Sequence, residues 1–214
     1  LEPLSCVVHA WDNAGINYNK GANIINIVGG GPIGCLHALY LFKVNKFNKI
    51  NIIEENYERY QTLKGLFSEI KNISVHNDGV VQLSEITVMA ASNNSAYDRT
   101  VSVTRKDGRV LLFSGFDDLN YVDNNFLPEI IHRHEFTHFS KNRVFVGSSG
   151  YTKADLDKSK KISVSDHGTN EGANHYDLIV RYRPRGGAEE AKNDDDNNDG
   201  DDDDDNNDNT DGDD

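Results

Sequence analysis

Three glycines spaced for phosphate binding follow an apolar run directly. Gly29, Gly31 and Gly34 come after the β-branched segment at residues 24–28, and an apolar stretch of helical spacing comes next. The first glycine permits a tight turn, the second lets the backbone approach a pyrophosphate, and the third lets the helix pack closely on the strand. Pro32 presets φ for the first helical turn, where free N–H groups and the helix dipole favour an anion. The spacing predicts a phosphate-binding turn between a strand and a helix.

A carboxylate follows the glycine turn at the sequence spacing expected of an acid that binds ribose. A second apolar strand is predicted at residues 50–53, and Glu54 follows it, twenty positions after Gly34. A carboxylate there can accept hydrogen bonds from both ribose hydroxyls and would repel a 2′-phosphate, so it favours NAD over NADP. Glu55 is the alternative acid, although its position suits a solvated loop residue. Strand, glycine turn, helix, strand and acid together predict a dinucleotide-binding βαβ unit.

Further apolar segments extend this unit to an α/β fold with a doubly wound parallel sheet, the Rossmann class. Helical spacing is found at Leu4, Val7, Val8 and Trp11 and again after the second strand, and a cap-rich start at residues 92–95 predicts a helix that closes at Gly108. Thr152 and Asp155 predict a capping box for a last helix. The further strands are predicted at residues 73–76, 85–91, 109–113 and 142–146.

The predicted connection between the third and fourth strands is short. It comprises the eight residues 77–84, whereas a parallel crossover usually needs about a dozen or more and often includes a helix. We therefore expect the crossover helix to be absent and an apolar part of the sheet to lie uncovered. Val80, Val81 and Leu83 are the residues expected to cover part of it.

The acidic charge is concentrated at the C-terminal end. The formal net charge is −13, and residues 193–214 contain 13 Asp but neither Lys nor Arg. The remainder is neutral overall and offers no net field to nucleic acid or an anionic membrane. The Asp/Asn-rich tail cannot bury apolar surface, so disorder is expected, either as an arm for an unidentified basic partner or as a solvated extension. With no signal peptide and no apolar run of about 18 residues, a cytoplasmic protein is expected.

Two other patterns could suggest metal or thiol chemistry. Residues 134–138 match H-E-x-x-H, which on a helix places two imidazoles and a glutamate around zinc. Residues 139–142 do not continue a long helix, and no metzincin-type glycine and third histidine follow, so a zinc metalloprotease is a remote alternative. Cys6 and Cys35 form neither a disulfide framework nor a metal pattern, and both are interpreted as small buried hydrophobes in a reducing compartment.

Several of these segments resemble the zinc-dependent medium-chain alcohol and polyol dehydrogenases, especially the branch of sorbitol dehydrogenase. The resemblance extends from Leu1 to about Ile162. It rests on an incoming segment at residues 1–10, the phosphate turn at 29–34, and the ribose acid at 54 with an arginine at 59. Two strand ends, at residues 107–115 and 146–152, also carry it.

The resemblance implies oxidation of a secondary alcohol by hydride transfer to NAD, with an alcohol or sugar as the small-molecule substrate. Zinc would polarise the substrate oxygen only in an intact enzyme with its catalytic domain. Glu2 matches an acid beside that zinc and its bound water, and homo-oligomers are common in the family. The implied cofactor-binding residues are Gly29, Gly31, Pro32, Ile33 and Gly34 for the turn, Glu54 and Arg59 for the adenosine side, and Gly115 and Gly147 near the nicotinamide.

The family's zinc ligands, a Cys and a His-Glu pair, would lie upstream of Leu1. We therefore expect a fragment, an incomplete gene model or a decayed relative without catalytic residues of its own. The expected organisation is a helix and linker from a catalytic domain at 1–22, an NAD-binding domain at 23–164, an irregular extension at 165–192 and the tail at 193–214. An alternative from another class is a non-catalytic nucleotide-binding or interaction protein derived from the family.

Overall fold

The computed structural model describes residues 1–14, 24–44, 47–116, 136–148 and 150–164. The sheet order is β3-β2-β1-β4-β5-β7-β6; β6 pairs antiparallel with β7, and every other pairing is parallel. This order, with helices on both faces, is the predicted Rossmann fold. The elements are α1 Glu2–Asn13, β1 Ile24–Val28, α2 Pro32–Val44, β2 Lys49–Ile53, α3 Tyr57–Leu66, β3 Ile73–His76, β4 Ser84–Met89, α4 Asn94–Val103, β5 Thr104–Leu112, β6 Phe136–Ser140, β7 Arg143–Gly147 and α5 Lys153–Val164.

Most predicted elements lie where the apolar patterns put them. β1 and β3 have the predicted bounds, and β2, β4 and β7 differ from them by one or two residues. None of the described helices is both long and apolar enough to cross a bilayer. The extension at 165–192 and the acidic tail at 193–214 lie outside the described residues, so their predicted character stays a prediction.

Alternating side chains divide the sheet into two apolar faces. Ile25 and Ile27 of β1 and their neighbours on β2 and β4 pack against α1, α2 and α3. The opposite face, which includes Val28 and Phe145, packs against α4. This alternation is what a parallel strand buried on both faces requires. The sheet therefore holds its carboxyl edge rigidly between two helical layers.

Helix α1 belongs to the same core. Its predicted apolar positions are buried, and Val7, Val8 and Trp11 are fully inaccessible to solvent. α1 packs against α2 and α5. The capping box that begins α5 is formed as predicted, because the Asp155 carboxylate accepts hydrogen bonds from both the N–H and the hydroxyl of Thr152 at 2.7 and 2.6 Å. The buried apolar face of α1 and its packing against α2 and α5 fix the N-terminal helix on the sheet.

The same carboxylate also holds α1. Asp155 Oδ2 lies 2.9 Å from His9 Nδ1, and His9 Nε2 lies 2.9 Å from Asn13 Nδ2. Burial opposes ionisation of Asp155, but the hydrogen bonds from Thr152 and His9 outweigh it and lower the pKa. His9 is thus a buried link between α1 and α5.

The short crossover contains no helix, as predicted, but the sheet face beneath it is polar. Val81 is the only one of the three expected residues that is buried, whereas Val80 is fully exposed and Leu83 is half-exposed. On this face Asn51 Nδ2 donates to Asn26 Oδ1 at 2.8 Å, and Asn51 Oδ1 lies 3.2 Å from His76 Nε2. The expectation of an uncovered apolar face was therefore wrong.

This polar row is tied to the crossover and to α4. Asn26 Nδ2 donates to the carbonyl oxygens of Gln82 and Val103, each at 3.0 Å. Buried amides are costly unless they are hydrogen-bonded, and here each amide finds partners within the row or on the backbone. Polar side chains thus replace the apolar surface that a crossover helix would have covered.

The predicted boundary between α4 and β5 was also wrong. The helix ends at Val103, not at Gly108, and β5 begins at Thr104. The pairing of β4 with β5 is irregular between Ser84 and Ile86, and Asp107 has a φ of 62°. A side chain at Gly108 would approach Thr104 Cγ2 to 2.8 Å, so the glycine serves a close approach within this irregular strand and does not end the helix.

Strand β6 is not among the strands that the sequence predicted. It forms a hairpin with β7 through Lys141 and Asn142, whose φ values of 48° and 57° are those of a two-residue hairpin turn. Lys-Asn lacks the glycine that usually marks such a turn, which is why the pattern did not reveal it. Residues 136–138 of the H-E-x-x-H motif lie in strand β6, so this part of the motif does not have the helical setting of a metalloprotease. His134 and Glu135 lie outside the described residues.

Candidate functional site

The glycine turn joins β1 to α2 with the predicted division of roles. Gly29 has a φ of 101°, which favours glycine, and its N–H donates to the Ile53 carbonyl oxygen at 2.9 Å. A Cβ on Gly34 would lie only 1.9 Å from the Gly29 carbonyl oxygen, so no side chain fits between helix and strand. A Cβ on Gly31 would meet nothing within 4 Å, because that position faces open space. The turn thus has a bare backbone on the side where a phosphate would approach.

Helix α2 begins immediately at this open position. Pro32 is its first residue, and Cys35 N–H donates to the Gly31 carbonyl oxygen at 3.0 Å. The N–H groups of Ile33 and Gly34 precede this helical bond, and the first N–H groups of a helix lack partners within it. They lie at the helix end where the sequence predicts that an anion binds.

Glu54 lies beneath the glycine turn, in a more enclosed position than predicted. Only 2% of the residue is exposed. Its Oε2 accepts from Gly30 N–H at 2.8 Å and from Arg59 Nη1 at 3.1 Å, and its Oε1 accepts from Asn56 N–H at 2.8 Å. A carboxylate has about four acceptor positions, so about one remains for a ribose hydroxyl while these contacts persist. The predicted acceptance from both hydroxyls would require one protein donor to withdraw.

Gly30 is a residue whose role the sequence pattern did not reveal. A Cβ there would lie 2.4 Å from Leu63 Cδ1 and 3.0 Å from Glu54 Oε2. The middle glycine therefore permits the hydrogen bond that ties the turn to β2. Cys35 completes this region from below: its thiol contacts the Gly30 carbonyl oxygen, and burial, followed by the Glu54 charge, raises the pKa of Cys35 to about 12.

A cavity of about 420 Å³ opens above these residues. Its walls come from the carboxyl ends of β1, β2, β3 and β4 and from the start of α4. It therefore crosses the point where the sheet order reverses, between β1 and β4, which is the ligand crevice of doubly wound sheets. The cavity is lined by Val28, Gly29, Gly31, Ile53, Glu54, Glu55, Arg59, Asn77, Asp78, Ala90, Ala91, Asn93, Ser95, Ala96 and Arg99.

The rim opposite the glycine turn contains residues that sequence reasoning did not select. Asn93 caps α4 by accepting from Ala96 N–H at 2.7 Å, while its Nδ2 donates to Glu55 Oε1 at 3.1 Å. Ser95 Oγ donates to Glu55 Oε2, also at 3.1 Å. Glu55 is exposed in the loop after β2, as its interpretation as a solvated loop residue predicted, and it also has defined partners on the rim. The available signal was position, since these residues directly follow two strands that flank the same crevice.

A second cavity, of about 340 Å³, is lined by Glu2, Pro3, Cys6, Ile33, Phe113, Ser148 and Gly150. Since Ile33 follows the glycine turn, this cavity adjoins the opposite end of that turn. Glu2 and Cys6 are one helical turn apart on α1, and burial, then the Glu2 charge, raises the pKa of the Cys6 thiol. Cys6 is only partly buried, so the interpretation of both cysteines as buried hydrophobes holds for Cys35 alone.

The two candidate residues at strand ends lie beside this second cavity. Gly147 is the buried last residue of β7 and pairs with Leu112. Gly115 follows β5 and is exposed, and a Cβ there would meet nothing within 4 Å. Their neighbours Phe113 and Ser148 line the cavity. The structure thus places Gly29, Gly31, Glu54 and Arg59 at one cavity, and Glu2 and Ile33 at the other.

A buried histidine lies behind the second cavity. His37 is fully inaccessible, its Nδ1 accepts from Trp11 Nε1 at 2.9 Å, and its ring meets Phe113 edge-on with centroids 4.6 Å apart. Burial lowers its pKa to about 3. The imidazole is therefore neutral at physiological pH and serves packing.

The side chains of the described ranges do not fit a zinc site, because no three His, Cys, Asp or Glu residues converge there. The phosphate turn and the crevice, in contrast, fit a dinucleotide, since the bare Gly31 backbone and the α2 N-terminus face open space. Accordingly, we assign no reaction step to zinc.

Comparison with known proteins supports the fold. No protein-family model and no curated protein matches the chain. L-idonate 5-dehydrogenase from Escherichia coli K-12 has a similar structure, with a TM-score of 0.55, 15% identity, and coverage of 77% of this chain and 44% of that one. S. aureus TarJ in complex with NADPH has a TM-score of 0.53 and 14% identity, and the match covers 84% of this chain and 50% of that one. The short chain alcohol dehydrogenase rspB from E. coli CFT073 in complex with NADH has a TM-score of 0.54 and 14% identity, with coverage of 77% of this chain and 46% of that one. The chain spans about half the length of these structures.

Proposed function

We propose that the chain is the cofactor-binding portion of an NAD-dependent, zinc-type alcohol or polyol dehydrogenase. The observation that carries the proposal is the cavity of about 420 Å³ at the switch point, with Gly29 and Gly31 in its wall and Glu54 and Arg59 at its side. The likeness to dehydrogenase structures supports it at the level of fold, and the sequence resemblance supports the family and its sorbitol dehydrogenase branch.

Each element of the crevice has a role in binding NAD. The bare Gly31 backbone and the N–H groups of Ile33 and Gly34 bind the pyrophosphate, and the α2 dipole favours its charge. Glu54 accepts a hydrogen bond from the adenosine ribose, and Arg59 lies along the adenosine side. The nicotinamide end extends past Ile33 toward the second cavity, near Gly115 and Gly147. Bound NAD would supply the hydride acceptor.

The preference for NAD rests on the Glu54 charge. The solved structures that are similar to this chain include complexes with NADP, NADPH and NADH, so the likeness does not favour either cofactor. In this chain a carboxylate lies at the end of β2, where a 2′-phosphate would approach it, and Arg59 is already paired with that carboxylate at 3.1 Å. The negative charge of Glu54 would repel the negative charge of a 2′-phosphate placed beside it, so the phosphate is disfavoured. We therefore expect tighter binding of NADH than of NADPH.

In an intact enzyme, Glu2 would lie next to the substrate end of the cofactor. It lines the second cavity with Ile33 and Phe113. Its proposed role is that of an acid beside zinc and its bound water, and the substrate would be an alcohol or sugar with a secondary hydroxyl. Homo-oligomerisation belongs to the same proposal and follows from the resemblance, and we also propose a cytoplasmic location.

Substitution of Gly31 provides a sharp test. A side chain there meets nothing in the empty protein but would project toward the pyrophosphate, so Gly31→Val should fold normally and bind NADH about ten-fold or more weakly. The matched control is Gly65→Ala on α3, where a Cβ also meets nothing. Nicotinamide fluorescence measures NADH and NADPH binding, and circular dichroism checks folding. Equal NADH binding by Gly31→Val and the wild type would refute the proposed site.

A further inference from the structure

The crevice is bridged by a single side chain. Glu55 follows β2, and its two carboxylate oxygens accept hydrogen bonds from Asn93 and Ser95, both at 3.1 Å. Asn93 and Ser95 stand at the start of α4, directly after β4. β2 and β4 are the two neighbours of β1 in the sheet. The bridge therefore passes over the end of β1, across the crevice.

The span of this bridge matches the width of the crevice. Neighbouring strands lie about 4.8 Å apart, so β2 and β4 are separated by roughly 10 Å. An extended glutamate on one side and a short polar side chain on the other cover that distance. A ligand that lies across the strand ends must pass the same gap, because Glu55, Asn93 and Ser95 all line the cavity.

The backbones at both ends of the bridge are fixed. Asn77 Nδ2 donates to the carbonyl oxygens of Glu54 and Glu55 at 2.8 and 2.9 Å. Asn93 is held at the other end by its capping bond to Ala96. Opening therefore needs only rotation of the Glu55 side chain, which is exposed to solvent. Exposed hydrogen bonds of this kind are weak enough to open readily.

We propose that Glu55 is a strap that closes the adenosine end of the crevice in the empty protein and must release before a nucleotide enters. This inference rests on the proposed function. The strap lowers the apparent affinity for the dinucleotide by the fraction of molecules in which it is closed. Glu54 has the opposite effect, since its carboxylate supports the glycine turn and the ribose. The two adjacent acids thus act on the same ligand in opposite directions.

Two variants separate the bridge from the charge of Glu55. Glu55→Gln removes the charge but can still accept from Asn93 and donate to Ser95, so the strap persists. Ser95→Ala removes one bond of the strap and leaves every charge in place. Glu55→Ala removes both the strap and the charge. All three changes lie on the exposed rim, so folding is retained and circular dichroism checks it.

NADH binding to each variant, followed by nicotinamide fluorescence at equilibrium and in stopped flow, tests the strap. We expect Glu55→Ala to bind NADH about five-fold more tightly and Ser95→Ala about two-fold, mainly through faster association, while Glu55→Gln stays within about two-fold of the wild type. The double variant Glu55→Ala/Ser95→Ala should bind no more tightly than Glu55→Ala, because the strap can be removed only once.

The possible results distinguish failure of the strap from failure of the proposed function. If the wild type binds NADH and its affinity is unchanged or weakened in Glu55→Ala and Ser95→Ala, the strap is refuted and the proposed cofactor site is not. Equal tightening in Glu55→Gln and Glu55→Ala, with Ser95→Ala unchanged, assigns the effect to charge and also overturns the strap. Absence of NADH binding in every folded variant overturns both proposals. Binding by Glu55→Ala with little binding by the wild type supports both.

Discussion

Replacing Glu54 with glutamine should destabilise the fold as well as weaken nucleotide binding. The carboxylate is 2% exposed and accepts from two backbone N–H groups, of Gly30 and Asn56, and from Arg59. A glutamine amide of the same size has only one acceptor oxygen, so its NH₂ group must face at least one of these donors. The variant therefore loses a charge-assisted hydrogen bond and leaves a buried N–H without a partner.

The magnitude follows from these two losses. A hydrogen bond to a charged group contributes about 1.5–3 kcal/mol, and an unsatisfied buried donor costs about 1–3 kcal/mol. Because relaxation recovers part of the loss, we expect Glu54→Gln to lower the free energy of unfolding by about 2–4 kcal/mol. For a domain of this size each kcal/mol lowers Tm by roughly 2–4 °C, so Tm should fall by roughly 5–15 °C.

Thermal and urea unfolding of Glu54→Gln and Glu55→Gln provide the assay and its matched control. The two acids are adjacent in sequence, but Glu55 is exposed, so its substitution should change stability by no more than about 0.5 kcal/mol. If both variants unfold like the wild type, Glu54 is not a structural support of the glycine turn. Any loss of NADH affinity in Glu54→Gln would then be due to a role of Glu54 in ligand binding alone.

Two further predictions concern the same framework. Gly34→Ala should cost about 3 kcal/mol or more in unfolding experiments, because its Cβ would lie 1.9 Å from the Gly29 carbonyl oxygen, whereas Gly65→Ala should be neutral or stabilising by up to about 1 kcal/mol. Asp155→Asn should destabilise by about 1–2 kcal/mol at pH 7, since the charged carboxylate accepts both bonds from Thr152. Folding lowers the pKa of Asp155, so the charged carboxylate stabilises the folded protein fully above the unfolded pKa of about 3.9. The difference in the free energy of unfolding between the wild type and Asp155→Asn should therefore disappear as the pH falls through the lower pKa of the folded state.

The sheet and the phosphate turn could be predicted because their signals are local. β-Branched runs such as residues 24–28 and 50–53 indicate buried strands without reference to the rest of the chain. The glycine pattern works in the same way, since Gly29 forms the predicted tight turn, with a φ of 101°, and Gly34 has the predicted close contact. The α5 capping box is local as well, because Thr152 and Asp155 are three residues apart.

The errors occurred where distant contacts decide the local structure. Gly108 resembles a helix end, but α4 stops earlier because residues 104–108 contact the hairpin turn. Arg143 donates to the Thr104 carbonyl oxygen at 2.8 and 3.0 Å, and Asp107 N–H donates to the Asn142 carbonyl oxygen at 2.7 Å. Such contacts join residues nearly forty positions apart and leave no periodic signal in either segment.

The rim of the crevice was unpredictable for a similar reason. Glu55 has no motif of its own, and its two partners, Asn93 and Ser95, were visible only as residues typical of a helix start. Their meeting depends on β1 lying between β2 and β4, which is a property of the sheet order. A second acid after the ribose acid is therefore informative only once the topology is known.

The contacts of the short crossover keep the proposed cofactor site intact. The connection begins at Asn77, which holds the backbone of Glu54 and Glu55 through two hydrogen bonds. Farther along it, the Gln82 carbonyl oxygen accepts from Asn26, so the polar row stabilises the part of this sheet face that a crossover helix would cover. Arg99 on α4 donates to the Gly79 carbonyl oxygen and fastens the connection to the cavity wall. Loss of the crossover helix is thus offset on the sheet face, while the carboxyl edge that would bind the dinucleotide keeps its walls.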